Sequence, residues 1–243
     1  MSSVRQEKIQ EHYDSVAGTY DDHYDHMTRG RPYHNHLSDY LIKALPESGD
    51  LLDIGCGTGL FVDKYLRNGG SATGLDISGK MLVRARERCP CCEFAAGNGE
   101  MLPFRNQSFD AISSLLVFSY LKHPDIMLKE TYRVLRPGGR IAVCTLGKKL
   151  ITRGIPALYH ISEKIKFQHV VMKNFGEHYY NEEEMNQIFS DAGYTDISVR
   201  WCSFAHIDMI DPLFSLATKL EPFVEKRVPQ LAFNIFVSAK KPE

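Results

Sequence analysis

Ten residues constrain this chain more than any others: Leu51-Leu52-Asp53-Ile54-Gly55-Cys56-Gly57-Thr58-Gly59-Leu60, an apolar strand that runs into a glycine-rich turn and then a helix. Glycine in such a turn reaches φ values that a Cβ forbids and lets the backbone come close to a ligand. A turn of this kind starts from a sheet, and the sequence downstream supplies one. Short apolar runs at 50–54, 71–75, 92–95, 111–116 and 140–145 alternate with helical patterns at 59–68, 78–88 and 124–135. That alternation predicts a parallel sheet with helices on both faces. Later, 182–192 reads as an amphipathic helix stopped by Gly193, and strands are expected at 197–206 and 232–239. Pro212, Pro222 and Pro229 are expected to divide the connection between these two strands into short pieces.

The length of 243 residues suits one α/β domain with appendages. The expected divisions are an N-terminal helical lid at 1–47, a core at 48–147, an insertion at 148–178, and a C-terminal helix with closing strands at 179–243. The lid ends in an apolar stripe, Leu37, Leu41, Ile42 and Leu45, that gives its last helix a packing face. The insertion holds Gly154 and Pro156 and then a helical pattern around 157–168. With 43% hydrophobic and 24% charged residues the chain can bury a full core, which excludes disordered, collagenous and coiled-coil classes. The 29 basic and 30 acidic residues leave a net charge of -1, so no global field draws the chain to nucleic acid or to an anionic membrane. The first residues carry charge where a signal peptide needs an apolar run, and no stretch approaches the roughly 18 apolar residues of a membrane span. The expectation is a cytoplasmic protein without stable membrane insertion, its six cysteines reduced.

Glycine spacing separates two ligand classes. A dinucleotide fingerprint, Gly-x-Gly-x-x-Gly, needs its third glycine at position 60, where this chain has Leu60. The turn instead reads Asp-x-Gly-x-Gly-x-Gly from Asp53 to Gly59. An acid before the turn repels a diphosphate and suits a ligand that carries an ammonium group. The next strand ends in Asp76, where a carboxylate at the carboxyl edge of the sheet can accept both hydroxyls of a ribose. The alternative is that Asp76-Ile77-Ser78 only caps a helix. After the third strand, the amide oxygen of Asn98 can accept from an adenine amino group, with the backbone at Gly99 and Glu100 near the ring nitrogens.

With these residues in place, the chain resembles the class I S-adenosylmethionine-dependent methyltransferases. The resemblance rests on Leu52 to Gly59, Gly74-Leu75-Asp76-Ile77-Ser78 with Met81-Leu82, Glu100-Met101-Leu102-Pro103-Phe104 followed by Ser108-Phe109-Asp110, and Arg133-Val134-Leu135-Arg136-Pro137-Gly138-Gly139, in the family's order. His12-Tyr13-Asp14-Ser15-Val16-Ala17-Gly18-Thr19-Tyr20-Asp21 also resembles the lid of the branch containing ubiquinone and menaquinone C-methyltransferases. The resemblance implies a Rossmann-like, seven-stranded mixed sheet with the last strand antiparallel, and S-adenosyl-L-methionine as cofactor. By position it places Gly55, Gly57 and Gly59 along the methionine half with Asp53 near its ammonium, Asp76 on the ribose, Ile77 and Leu115 against adenine, and Asn98 and Gly99 at the base. At position 98 the family more often has Asp; an amide oxygen also accepts.

Methyl transfer from a sulfonium is an in-line displacement with an activated leaving group, so positioning and exclusion of water outweigh acid–base chemistry. The candidate catalytic residues are Tyr20 on the lid, which is also expected to bind the cofactor by packing against its sulfonium and hydrogen-bonding its carboxylate end, Tyr120 where the family often has a His pair, and His178 before the late helix. Each has an ordinary structural alternative as a packed aromatic or a surface histidine. Cys89, Cys91 and Cys92 lack companion ligands at zinc spacing, and His23, His26, His34 and His36 lack a repeated pattern, so no metal is expected. Lys148, Lys149 and Arg153 are read as a solvated face, with an anionic substrate or a lipid surface as the alternative. The expected activity is methyl transfer to a small-molecule acceptor, quinone-like or lipid-like, with the insertion roofing its pocket. Two alternatives stand beside it: a non-catalytic module or partner subunit that binds the cofactor or its demethylated product, and methylation of a protein side chain. The oligomeric state and the acceptor atom are left open.

Overall fold

The computed structural model describes residues 4–24, 28–67, 69–148, 175–207, 209 and 211–243. Its centre is a seven-stranded sheet: β1 (Asp50–Ile54), β2 (Ser71–Asp76), β3 (Glu93–Ala96), β4 (Phe109–Leu115), β5 (Leu135–Leu146), β6 (Thr195–Cys202) and β7 (Asn234–Lys240), in the order β3-β2-β1-β4-β5-β7-β6. The first five strands run parallel, and β7 lies antiparallel between β5 and β6. The sheet therefore has the mixed topology expected. β1 is an interior strand, third in that order, with Asp53 beside Gly74 of β2 on one edge and Ser113 of β4 on the other.

Among the described residues seven α-helices accompany the sheet: α1 (Val4–Val16), α2 (Gly30–Ala44), α3 (Leu60–Leu66), α4 (Gly79–Arg88), α5 (Pro124–Val134), α6 (Glu182–Asp191) and α7 (Asp211–Arg227). Alternation along the strands divides the core into two layers. Leu52 and Ile54 of β1 join Met127 and Leu128 of α5 and Met185 and Phe189 of α6 on one face. Leu51 joins Leu37 and Leu41 of α2, Phe61 and Val62 of α3, and Phe214 and Ala217 of α7 on the other. The stripe foreseen on the last lid helix thus packs against the sheet through Leu37 and Leu41, both fully buried. Among the described residues no helix is long and apolar enough to cross a membrane.

Two elements differ from the sequence expectation. β6 ends at Cys202 rather than 206, because Ser203 takes φ +65 and turns the chain. The N–H groups of Ser203 and Phe204 then donate to Glu225 (2.7 Å) and Glu221 (2.9 Å) instead of to a strand. The connection from β6 to β7 is not cut at each proline. Helix α7 runs through Pro222, while Pro212 falls in its first turn and Pro229 opens a short 3-10 turn. Pro212 loses nothing there, since first-turn N–H groups have no intrahelical acceptor. Pro222 gives up one internal hydrogen bond, and burial of Phe214, Ala217, Glu221 and Val224 on one face keeps the helix continuous. The proposed helix around 157–168 and the rest of 149–174 lie outside the described residues, as does His26.

Candidate functional site

The carboxyl ends of β1, β2 and β4 open into a cavity of about 230 Å³. Where β1 ends, the N–H groups of Gly55 and Cys56 both donate to the carbonyl of Leu75, at 2.7 and 3.0 Å, which pulls the turn toward β2. Gly55 has φ +75, and a Cβ there would lie 2.2 Å from Cγ2 of Val117, so two independent demands require glycine at this position. The N–H of Gly57 donates to Asp76 Oδ2 and that of Ser78 to Oδ1, each at 2.8 Å. Ser78 in turn caps α4 by accepting from Met81 N–H at 3.1 Å. Ser78 is thus the helix cap that the alternative reading of Asp76-Ile77-Ser78 named, and Asp76 lines the cavity.

Asp53 lies deeper, 2% exposed. Its Oδ1 accepts from Ser113 Oγ at 2.7 Å, and it forms no ion pair among the described residues. Burial without a countercharge pushes its carboxyl up to about 7; the Ser113 bond pulls the other way and Asp76 adds to the rise. Burial also raises Asp76, against the pull of its backbone hydrogen bonds. Asn98 Oδ1 accepts from the Glu100 N–H at 2.9 Å. One of its two acceptor positions is therefore used within the turn, by the N–H the sequence reading had offered to a ring nitrogen. Glu100 itself accepts from the N–H groups of Lys122 and His123 (2.9 Å each) and from Gln6 (3.2 Å).

Opposite this edge stands a wall of aromatic side chains: Tyr13 from α1, Tyr20 and Tyr24 from the turn after it, Tyr33 and His34 from α2, Tyr120 after β4, and His206 after β6. Ring centroids are 6.3 Å apart for Tyr13 and Tyr20, 6.4 Å for Tyr13 and Tyr120, and 5.3 Å for Tyr20 and Tyr24. Burial raises the phenols of Tyr13, Tyr20, Tyr24 and Tyr33, and pushes Tyr120 up to about 12. Burial, with the fields of Lys64, Arg31 and Arg88, lowers His34 to about 3. These five phenols and the His34 imidazole are neutral around pH 7.

Polar ties fasten the lid to the sheet edge. Asp21 accepts from Thr58 Oγ1 and from Arg88, both at 2.6 Å, and Asp14 accepts from Ser78 Oγ at 2.5 Å. They join the lid directly to the glycine turn and to the start of α4.

Of the ten residues expected to hold a cofactor, Tyr20, Asp53, Gly55, Gly57, Asp76, Ile77, Asn98, Gly99 and Leu115 line the cavity. Gly59 does not; it caps α3 with φ +80 and faces Ala85 of α4. Of the catalytic candidates, Tyr20 and Tyr120 line the cavity and His178 stands apart, 55% exposed, with Glu184 at 4.0 Å. The sequence reading passed over Tyr13, Tyr24, Tyr33 and His206, and considered His34 only for metal. The crowding of tyrosine and histidine from Tyr13 to His36 was the available signal.

Away from the cavity, His36 lies 2.8 Å from Glu225 and 3.4 Å from Glu221, the only trio of ligand-type side chains gathered within 4.8 Å among the described residues. Their oxygens already accept from protein donors: Glu225 from Tyr40 (2.5 Å) and Ser203, Glu221 from Phe204 and Ala205. The trio fastens α2 to α7. Burial opposes the charge on His36, but Glu225 and Glu221 outweigh it and raise the imidazole. Cys89 is buried, Cys92 half-buried and Cys91 exposed.

Residues 52–143 match the family described as Methyltransferase domain. The demethylmenaquinone methyltransferase of Renibacterium salmoninarum is 27% identical over 209 residues, covering 81% of this chain and 87% of that protein. The ubiquinone/menaquinone biosynthesis C-methyltransferase of Bartonella tribocorum is 34% identical over 147 residues, covering 56% of each. Among solved structures, an S-adenosylmethionine-dependent methyltransferase of Thermotoga maritima superposes with TM-score 0.66 at 22% identity over 95% of this chain and 99% of its own, a likeness of fold. Residues 52–143, the glycine-turn core, thus match a methyltransferase domain, and the seven-stranded topology around them is the fold of S-adenosylmethionine-dependent methyltransferases.

Proposed function

We infer that the cavity holds S-adenosylmethionine along the sheet edge and a small, uncharged, apolar acceptor, quinone-like or lipid-like, against the aromatic wall. One observation carries this reading: charge around the cavity is segregated. Among the described lining residues Asp53, Asp76 and Glu100 alone carry carboxylates, none is Lys or Arg, and all three acids follow or end strands of the sheet. The aromatic side presents raised phenols and the lowered imidazole of His34, which suits an acceptor that is itself uncharged. The Renibacterium and Bartonella relatives, named for quinone methylation, support the same class.

The residues present fit the cofactor. A buried Asp53 with no countercharge is complementary to an ammonium group. Asp76 offers a carboxylate for ribose hydroxyls, and Ile77 and Leu115 offer apolar surface for a base. When bound, S-adenosylmethionine supplies a methyl group on a sulfonium, already activated toward a nucleophile. The chain's own work is then to orient and to exclude water. Phenols this high and an imidazole this low are poor bases at neutral pH, so we assign no general base. His178, outside the wall, receives no role. The division of labour follows: 48–147 for the cofactor, the two flanks for the acceptor.

The test is a screen for release of demethylated cofactor against phenols, quinones, amines, thiols and peptides. Turnover is expected with quinones or phenols; best turnover with a charged amine or a peptide overturns the acceptor class. In parallel, Asp76→Ala should weaken binding of S-adenosylhomocysteine by tenfold or more, through lost hydrogen bonds to a charged acceptor worth about 1.5–3 kcal/mol. Tight binding with no turnover on any panel would favour the module that binds without chemistry.

A further inference from the structure

We propose that the outer face of α7 docks the protein on an anionic lipid surface. Helix α7 has two apolar faces, and the fold uses only one. Phe214, Ala217 and Val224 are buried against the sheet, with Glu221 among them. Leu213, Leu216, Leu220 and Phe223 point the other way and are 50%, 54%, 42% and 61% exposed. Their spacing of i, i+3, i+7 and i+10 gathers them into one stripe about 80° wide at 3.6 residues per turn. Four large apolar side chains on one exposed helix face form a contiguous patch rather than scattered surface residues.

Charge identifies the occupant. Lys219 and Lys226 line one edge of the stripe, and Arg227 closes its C-terminal end. None of the three takes part in an ion pair or side-chain hydrogen bond among the described residues. The carboxylates of the helix are turned away: Glu221 and Glu225 toward His36 of α2, and Asp211 toward Arg29. The outer face therefore carries three cations and no acid, on a chain whose net charge is -1. An apolar stripe edged with Lys and Arg is the pattern of a helix that lies in a bilayer interface, its aliphatic stems in the acyl boundary and its ammonium groups at the phosphates. A second copy of the chain is a poorer match, because paired α7 faces would bring six cations together without a carboxylate. At 17 residues, with charge on that face, α7 lies on a bilayer and does not cross it.

Position in the fold gives the surface a use. Four residues before α7, the same segment places His206 and Ile207 in the cavity wall, and the trio His36, Glu221 and Glu225 clamps the helix to α2, which supplies Tyr33 and His34. A bilayer under α7 would hold the acceptor side of the cavity close to where apolar molecules partition. The docking inference stands on the helix alone and does not require the acceptor assignment.

The experiment is flotation of the full chain with vesicles of phosphatidylcholine mixed with phosphatidylglycerol, and with phosphatidylcholine alone. Binding is expected to the anionic vesicles, about tenfold or more weaker to the neutral ones and reduced by salt. The set Leu216→Ser, Leu220→Ser and Phe223→Ser should remove most of it, while Lys219→Glu with Lys226→Glu should abolish the preference for anionic lipid. Phe223→Trp should show a blue-shifted emission when vesicles are added, a readout that requires the folded chain and locates the stripe in the acyl region. Titration with S-adenosylhomocysteine should be unchanged in every variant, which separates this test from the cofactor and acceptor assignments. No binding to anionic vesicles, or binding untouched by both variant sets, overturns the proposal. So does a dimer in light scattering that the serine set dissolves, which would make the stripe a contact between copies.

Discussion

The two walls of the cavity are built on opposite principles. The sheet wall is made of backbone geometry and carboxylates: Asp53 under the turn, Gly55 and Gly57 in it, and Asp76 held by two N–H groups. The aromatic wall is made of tyrosine and histidine side chains from five separate segments between Tyr13 and His206, with no carboxylate among them. A fixed cationic ligand needs the first kind of surface, where donors, acceptors and charge are set before binding. A varied apolar partner needs only the second, where shape and the absence of charge select. The contrast predicts that changes in the sheet wall act on affinity and folding, whereas changes in the aromatic wall act on turnover and acceptor choice.

Gly55→Ala should give the largest effect. Its methyl group would meet Val117 Cγ2 at 2.2 Å on a backbone with φ +75. Overpacking and a left-handed alanine together should cost about 2–4 kcal/mol in thermal or urea unfolding. Adding Val117→Ala should restore only the steric part, so about half the loss should remain. Full rescue would show that the backbone conformation contributes nothing.

Asp53→Asn comes next and tests the charge of the sheet wall. A carboxyl raised to about 7 in the free cavity should ionise fully when a cation binds. Affinity for S-adenosylhomocysteine should therefore rise with pH through about 7 and flatten above it, with proton release on binding. The asparagine variant should lose that dependence and bind about tenfold more weakly at high pH. The folding sign is the reverse. A carboxyl raised in the folded state contributes stability below its unfolded value near 3.9 and loses it as pH rises through about 7. Without ligand, Asp53→Asn should then match or exceed the parent in stability above pH 7. Calorimetric titration in buffers of differing ionisation enthalpy checks the first part, and unfolding at two pH values the second.

The same contrast explains what could be read from sequence. Sheet-wall residues lie between positions 53 and 99, and strand, turn and acid follow one another in the order in which they meet the ligand. Within that stretch Asp53, Gly55, Gly57, Asp76, Ile77, Asn98 and Gly99 line one cavity, whereas Gly59 lies outside it and packs against Ala85. The aromatic wall has no such order. His34 and His36 sit two residues apart on α2, about 200° around the helix, so one faces the cavity and the other faces Glu225. Residue type announced a crowd but not its direction. His206 gave no signal because the turn at Ser203 that aims it depends on Glu221 and Glu225, some 20 residues later. The prolines of α7 misled for a related reason: propensity is local, and the burial that overrides it is not.

Tyr20→Phe probes the aromatic wall at its gentlest. The hydroxyl lies 3.5 Å from that of Tyr24, too long for a strong hydrogen bond, so its loss should cost under about 1 kcal/mol of stability. Turnover should fall several-fold, with affinity for S-adenosylhomocysteine nearly unchanged. Equal losses in both would place Tyr20 with the sheet wall and erase the distinction drawn here.

His36→Gln should have the smallest effect, and only over part of the pH range. Glu225 and Glu221 raise the imidazole despite its burial, and Asp39 adds to the rise. A histidine raised in the folded state contributes stability that is complete below its unfolded value near 6.5 and is lost as pH rises through the folded value. Near pH 6 the variant should be about 1–2 kcal/mol less stable than the parent, and the gap should narrow in alkaline buffer. A gap constant with pH would mean that the ring holds α2 to α7 by packing on Tyr40, 5.5 Å away, rather than by charge. The aromatic wall would then owe its position to shape alone, and loosening the clamp should alter acceptor choice without altering cofactor affinity.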